Sequence, residues 1–183
     1  MASTFYPPYH LGGDAVHVRY LAEELVRRGH EVHVVHSLDA FALKVRGKEP
    51  KVVRSDVHTH PVNTSLGATS ARMTYVLGTN RAAERELDRV VREVRPDWIH
   101  HHNISLLGQH VLSIGDPPKI YTAHDHWLAC PRSDLAYLGG SCCDTDRCTY
   151  CSLRTFKPPQ LWRGSGFRKR VQRIDRFISP SRY

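Results

Sequence analysis

Short runs of β-branched residues alternate with helical stretches along most of this 183-residue chain, and this alternation constrains the fold more than any other feature. Residues 14–29 carry apolar side chains at helical spacing, and residues 31–36 follow as a buried strand. We predict that Asp14 caps the helix and that Gly29 ends it. A helix that leads directly into a buried strand is typical of a parallel sheet.

The same alternation continues to the end of the chain. Further strands are predicted over residues 52–62, 98–102, 119–123 and 176–179, with helices over residues 70–95, 105–114 and 166–173. Pro61 is expected to break the first of these strands. The pattern predicts an α/β protein with a Rossmann-like, doubly wound, mostly parallel sheet and helices on both faces.

Both ends of the chain are short for such a fold. A doubly wound sheet begins with a strand that leads into its first glycine loop, and a strand needs about five or six residues. Only Met1-Ala-Ser3 precede Thr4, and Ser181-Arg-Tyr183 follow the last strand without a closing helix. We therefore expect the first strand to be missing or truncated and residues 1–183 to be one part of a larger protein.

Residues 125–159 interrupt the alternation and are predicted to form a long irregular insertion. All five cysteines of the chain lie in it. In a reducing compartment clustered cysteines favour metal binding over disulfides, and four thiolates hold zinc tetrahedrally. The candidate zinc ligands are Cys130, Cys142, Cys148 and Cys151, and the alternative is a set of free thiols.

The charge balance favours anionic partners. Lysine and arginine exceed aspartate and glutamate by 26 to 18, which gives a net charge of +8 with neutral histidines. The basic residues are scattered except over residues 163–176, so the pattern does not indicate a nucleic-acid footprint, although a basic nucleic-acid-binding domain remains one alternative. Neither a secretory signal nor a membrane span is visible, which makes a cytoplasmic location the expectation.

Polar residues follow several of the predicted strands at the edge where doubly wound sheets bind ligands. Gly12-Gly13 opens the first helix and offers backbone N–H groups to a phosphate. His102-Asn103 and His124-Asp125 end two strands, and His124 is placed to donate a hydrogen bond to a developing charge. Alternation puts His100 and His102 on one face, so a zinc-dependent hydrolase that also uses His124 and His126 is a second alternative.

Four blocks of sequence carry a more specific signal. They are Phe5-Tyr-Pro-Pro-Tyr-His-Leu-Gly-Gly13, Arg95-Pro-Asp-Trp-Ile-His-His-His-Asn103, Tyr121-Thr-Ala-His-Asp125-x-Trp127 and Phe177-Ile-Ser-Pro-Ser-Arg-Tyr183. In order and spacing they resemble the amino-terminal, acceptor-side domain of GT-B glycosyltransferases of family 4, which are retaining enzymes that use nucleotide sugars. The resemblance runs over the whole chain but covers only the first half of such an enzyme.

The resemblance implies a role for each rim residue. Gly12 and Gly13 would bind the nucleotide-sugar donor, His124 and Asp125 would stabilise and position the reaction centre, and His102 and Asn103 would bind the acceptor. No cofactor is implied for catalysis, and the acceptor would be a glycan or a lipid-linked sugar. The family's second, donor-binding domain does not follow in this chain, which alone is expected to be inactive. Lipid-linked acceptors also imply peripheral association with the anionic inner face of a membrane.

Overall fold

A computed structural model describes residues 1–45, 55–138, 140–143 and 147–180, and it confirms the α/β class. The helices are α1 (Gly12–Arg27), α2 (Leu38–Lys44), α3 (Ala68–Leu77), α4 (Arg81–Val94), α5 (Cys148–Arg154) and α6 (Ser165–Val171), with a 3₁₀ helix at Gln109–Ser113. The strands are β1 (His33–Ser37), β2 (His58–Val62), β3 (Ile99–His101), β4 (Lys119–Thr122), β5 (Ala136–Tyr137), β6 (Ser141–Cys142) and β7 (Arg176–Ile178).

The first four residues connect two groups of parallel strands into one layer. β2 pairs with β1 on one side, and β3, β4 and β7 pair in that order on the other. Ala2 forms parallel bridges to Val35 in β1 and to His101 in β3. The order is therefore β2, β1, residues 1–4, β3, β4 and β7, which is the order of a doubly wound sheet. Residues 1–4 thus hold the central place that the sequence analysis assigned to a missing or truncated strand.

Helices cover both faces of this sheet, as the pattern predicts. Val34 packs in a buried cluster with Val18 and Ala22 of α1, whereas its neighbour Val35 packs in a different cluster with residues of α4 such as Leu87. Successive strand residues point to opposite faces, so β1 is apolar on both. A continuous apolar strand of this kind is typical of a parallel sheet that is buried on both sides.

Two helix predictions are wrong. The stretch over residues 70–95 is two helices, because Gly78 adopts a left-handed conformation with φ 72° and ends α3. The Asn80 side chain then accepts a hydrogen bond from the Ala83 N–H at 3.1 Å and starts α4. Within residues 105–114 the regular structure is a 3₁₀ helix that begins after Gly108, whose φ is 86°.

Two local predictions also change. Pro61 lies inside β2 and does not break it, because β2 is an edge strand and one of its sides needs no N–H donor. Asp14 does not cap α1, since Leu11 holds the N-cap position and Asp14 lies in the first turn. Part of the predicted strand, residues 52–54, falls outside the described residues.

The insertion over residues 125–159 contains the short antiparallel pair β5–β6 and helix α5. Arg163, which follows it, does not belong to an open basic surface. Its guanidinium lies over the rings of Trp127, Trp162 and Phe167, with 4.8, 5.1 and 5.0 Å to the ring centroids. Across the described part of the chain, no helix has both the length and the apolar character that crossing a membrane requires.

Candidate functional site

The candidate site lies at the carboxyl edge of the sheet. His102 follows β3, His124 follows β4 by two residues, and Gly12 begins α1 after the loop from the central residues 1–4. Because these strands are parallel, their carboxyl ends meet at one edge, which we call the rim. The structure therefore brings together the residues that the sequence analysis selected from three separate segments.

Three histidines form the centre of the rim. His102 Nδ1 and His124 Nε2 lie 3.1 Å apart and share a hydrogen bond. The His17 ring meets the His124 ring edge-on, with 5.0 Å between centroids, and lies 6.1 Å from the His102 ring. His17 is not among the residues predicted from the strand ends. The available signal was its place three residues after Asp14, which puts both side chains on one face of α1.

Burial favours the neutral forms of His102 and His124. It holds the pKa of His102 well below its usual range, and the nearby histidines His100 and His124 lower that pKa further. Burial also lowers the pKa of His124, as does His17, while the carboxylates of Asp14 and Asp125 oppose this shift. Neutral imidazoles can each donate one hydrogen bond and accept another, so the His102–His124 pair suits proton sharing with a ligand.

A polar cross-link fixes α1 against the end of β3. The Asn103 side-chain amide donates from Nδ2 to Asp14 Oδ2 at 3.2 Å, and its side-chain oxygen Oδ1 accepts from the Ser105 hydroxyl at 2.7 Å. Thr4, at the end of the central segment, donates its N–H to the Asn103 backbone oxygen at 2.5 Å. Asn103 thus connects the first helix, the central segment and β3, and it holds Asp14 beside the histidines.

The two glycines of the rim, Gly12 and Gly13, differ in backbone conformation. Gly12 has φ 82°, a left-handed conformation in which a side chain would be strained. Gly13 does not have a positive φ, and a Cβ built on it meets no atom within 4 Å. The backbone explains Gly12 but not Gly13, where a side chain would project into open space at the start of α1.

The surroundings of Asp125 and His102 bear on the roles predicted for them. Asp125 Oδ1 accepts a hydrogen bond from the Trp127 N–H at 2.8 Å, so its carboxylate holds the turn after His124. His102 is completely buried, which leaves it no surface for direct contact with an acceptor. In this conformation His102 contacts His124 through its Nδ1 atom, and His17 is the exposed member of the group.

Two compact groups of possible metal ligands occur among the described residues. His17, His102 and His124 form one, and Glu31, His33 and His58 form the other, at the opposite edge of the sheet. His100 shares a face with His102, as predicted, with 4.1 Å between ring centroids. Its Nε2 atom lies 2.8 Å from the Thr122 hydroxyl instead of joining the first group. The four histidines of the hydrolase alternative therefore do not come together as one ligand set.

The fold and the rim define a Rossmann-like α/β domain with a polar edge. The chain belongs to Glycosyltransferase Family 4, whose model matches residues 11–183, and it is therefore a glycosyltransferase-family domain. It is also similar to an uncharacterised 42.6 kDa protein in the cps region of Klebsiella pneumoniae, with 28% identity over 149 residues. That match covers 77% of this chain and 40% of the relative, so the chain spans less than half of the relative's length. No solved structure matches the chain significantly.

Proposed function

We propose that the chain is the acceptor-side half of a retaining glycosyltransferase that takes a sugar from a nucleotide-sugar donor. Membership of the family supports the reaction class. The proposed second half is a donor-binding domain that closes over the rim, and the 40% coverage of the Klebsiella relative leaves room for one in a protein of that length. In this proposal the chain alone has no transferase activity.

The observation that carries the proposal is an exposed glycine, Gly13, in the first turn of the helix that also carries Asp14 and His17. Gly13 is exposed, lies in the first turn of the 16-residue helix α1, and has no backbone reason to lack a side chain. The start of a helix presents unpaired N–H groups and the positive end of the helix dipole, which attract phosphate. We assign this place to the donor diphosphate, because a residue without a side chain lets phosphate oxygens approach the backbone closely.

His124 is assigned to the sugar end of the donor. Its Nε2 atom is engaged with His102, so Nδ1 is the atom that would face a sugar hydroxyl or the charge that develops during transfer. In the proposed step the bond between the anomeric carbon and the diphosphate oxygen breaks. The acceptor oxygen bonds to that carbon on the same face and gives its proton to the departing diphosphate. Neither a protein nucleophile nor a metal ion takes part.

The proposed surroundings of the reaction follow the sequence expectations with two changes. A glycan or lipid-linked acceptor would approach from the open side of the rim, where Asn103 and Asp14 lie, with His102 acting through His124. A cytoplasmic protein that reaches such an acceptor at the inner membrane face would use the basic side chains of residues 168–176. Arg163 is not among these, because it is stacked between aromatic rings.

Two substitutions in a complete transferase that contains this chain test the proposal. His124→Ala should lower kcat by roughly a hundredfold or more, as loss of a preorganised donor does. Gly13→Val should raise the KM for the donor without unfolding the protein, because the structure has space for the side chain. His30→Ala, at an exposed histidine outside the rim, is the matched control. Unchanged kinetics in both rim variants, or inversion at the anomeric carbon of the product, would refute the proposal.

A further inference from the structure

Four cysteines of the insertion line one small cavity. Cys130, Cys143, Cys148 and Cys151 surround a space of about 10 Å³, which is close to the size of a single water molecule or ion. Cys148 and Cys151 are one helical turn apart in α5 and therefore share a face. Cys130 closes the turn that follows the rim, where its N–H donates to the His126 backbone oxygen at 2.8 Å. Segments on both sides of the β5–β6 pair thus place four cysteines around one cavity.

The part of the insertion around this cavity has little apolar packing to hold it. Leu138, Tyr150, Leu153 and Phe156 are exposed, and Phe156 is 98% exposed. Several residues without the freedom of glycine adopt positive φ there: Ser133, Leu135, Leu138 and Phe156. Each such conformation costs about 1–3 kcal/mol and persists only where the surroundings enforce it. Small segments without a sufficient core are commonly held by disulfides or metal ions.

The chemistry at the cavity favours a metal ion over a disulfide. Cys130, Cys148 and Cys151 are thiols, unpaired with each other in any disulfide. The Leu138 N–H donates to Cys151 Sγ at 3.4 Å, and backbone donors of this kind support metal-bound thiolates. Arg132 also lines the cavity, where its guanidinium is paired with the Asp134 carboxylate at 2.7 Å. A metal ion that binds there displaces the protons of its thiol ligands.

We propose that Cys130, Cys143, Cys148 and Cys151 bind one structural Zn²⁺ ion. Compared with the set expected from the sequence, Cys143 takes the place of Cys142, whose side chain lies outside the described residues. The sulfur atoms surround the cavity more widely than the ligand atoms of the two compact histidine groups. Binding therefore draws them inward to about 2.3 Å from the ion and releases the proton of each thiol.

The zinc ion would also stabilise the segment that carries the rim residue His124. Cys130 ends the turn of residues 126–130, and this turn begins immediately after His124 and Asp125. Fixing Cys130 to α5 thus fixes the far end of the segment that carries His124. The inference does not depend on glycosyl transfer, since a structural zinc ion would be present whatever reaction the rim performs.

Metal analysis of the full chain, purified under reducing conditions, tests the inference. Elemental analysis by mass spectrometry should find close to one zinc per chain and no stoichiometric iron. After replacement of the metal by Co²⁺, the absorption spectrum should show intense thiolate-to-cobalt charge transfer and the d–d bands of a tetrahedral site. This spectrum identifies sulfur ligands without requiring any variant to fold.

Variants then separate this ligand set from the others. Cys143→Ser and Cys148→Ser should each weaken zinc binding by roughly a hundredfold or more, whereas Cys142→Ser should keep the zinc. His17→Ala and His33→Ala are the controls for the two histidine groups, and both should also keep it. Retention of zinc in Cys143→Ser, its loss in either histidine variant, a disulfide among these cysteines, or a metal-free protein would overturn the inference.

Discussion

Acid should destabilise this protein through histidines that are buried in neutral form. His101 lies wholly inside the sheet, and burial lowers its pKa to about 3. Neither of its ring nitrogens has a hydrogen-bond partner among the described residues. In the unfolded chain the same imidazole titrates near its ordinary pKa of about 6.5. At pH values between these two pKa values the unfolded state binds a proton and the folded state does not. The free energy of unfolding therefore falls as the pH falls.

The size of this loss in unfolding free energy follows from the shift in pKa. Each pH unit in this window costs about 1.4 kcal/mol per proton, so lowering the pH to about 5 costs about 2 kcal/mol for His101. Burial also lowers the pKa values of His36 and His100 to about 4, and each adds a similar loss. The three together reach about 6 kcal/mol, a large part of the roughly 5–15 kcal/mol that stabilises a typical domain.

The substitution His101→Leu removes one of these three histidines and so isolates its contribution to the pH dependence of stability. At about pH 7.5 the variant should be at least as stable as the parent, because leucine fills a similar volume and removes two unpaired buried nitrogens. Its loss of stability on going to about pH 5 should be smaller by about 2 kcal/mol. Urea unfolding followed by circular dichroism at both pH values measures this difference, with His30→Leu at an exposed position as the control. A pH dependence equal to that of the parent would show that His101 is protonated in the folded protein.

Two further predictions concern the break between α3 and α4. Gly78→Ala should cost at least about 2 kcal/mol of unfolding free energy, because its Cβ would lie 2.4 Å from the Trp162 ring. The control is Gly29→Ala, at a residue that has a similar positive φ but no atom within 4 Å of the added Cβ. This variant should cost only about 1 kcal/mol. Equal losses in the two variants would contradict the packing argument. Asn80→Ala should cost about 1–2 kcal/mol, since it removes the cap bond to Ala83 and a 3.3 Å bond to the Leu106 carbonyl. Thermal unfolding checks both, and an unchanged melting temperature for Asn80→Ala would exclude the capping role.

The elements that the sequence predicts well are those with a strong repeating pattern. β1 shows in the sequence because its residues are buried on both faces, and α1 because its apolar positions recur at helical spacing. The break at Gly78 was missed because apolar periodicity continues across it, and only the glycine followed by Asn80 marks the change. The place of residues 1–4 in the middle of the sheet does not show in the sequence, because it comes from hydrogen bonds to two neighbouring strands, a property that length does not reveal.

The candidate site was predictable in its location but not in its detail. Parallel strands bring their carboxyl ends to one edge, so the topology alone places His102 and His124 together. How deeply each is buried depends on how the rest of the chain covers the sheet, and this leaves His102 fully buried and His124 half-buried. His17 escaped selection because it lies on the helix and not at a strand end, although its ring completes the group.

The three consecutive histidines after Ile99 lie where stability of the fold favours apolar side chains but the candidate site uses polar ones. A central strand normally carries apolar residues, yet β3 buries His101 and the chain buries His102 directly after it. His102 has a clear partner at the rim in His124, and His100 has one in Thr122. A sequence optimised only for stability would place apolar side chains here, and natural proteins depart from that rule mainly at functional sites. The acid sensitivity predicted above comes in large part from the histidine between these two, His101, whose ring nitrogens have no hydrogen-bond partner among the described residues. Its burial lowers stability in acid without a contact at the rim to offset the loss.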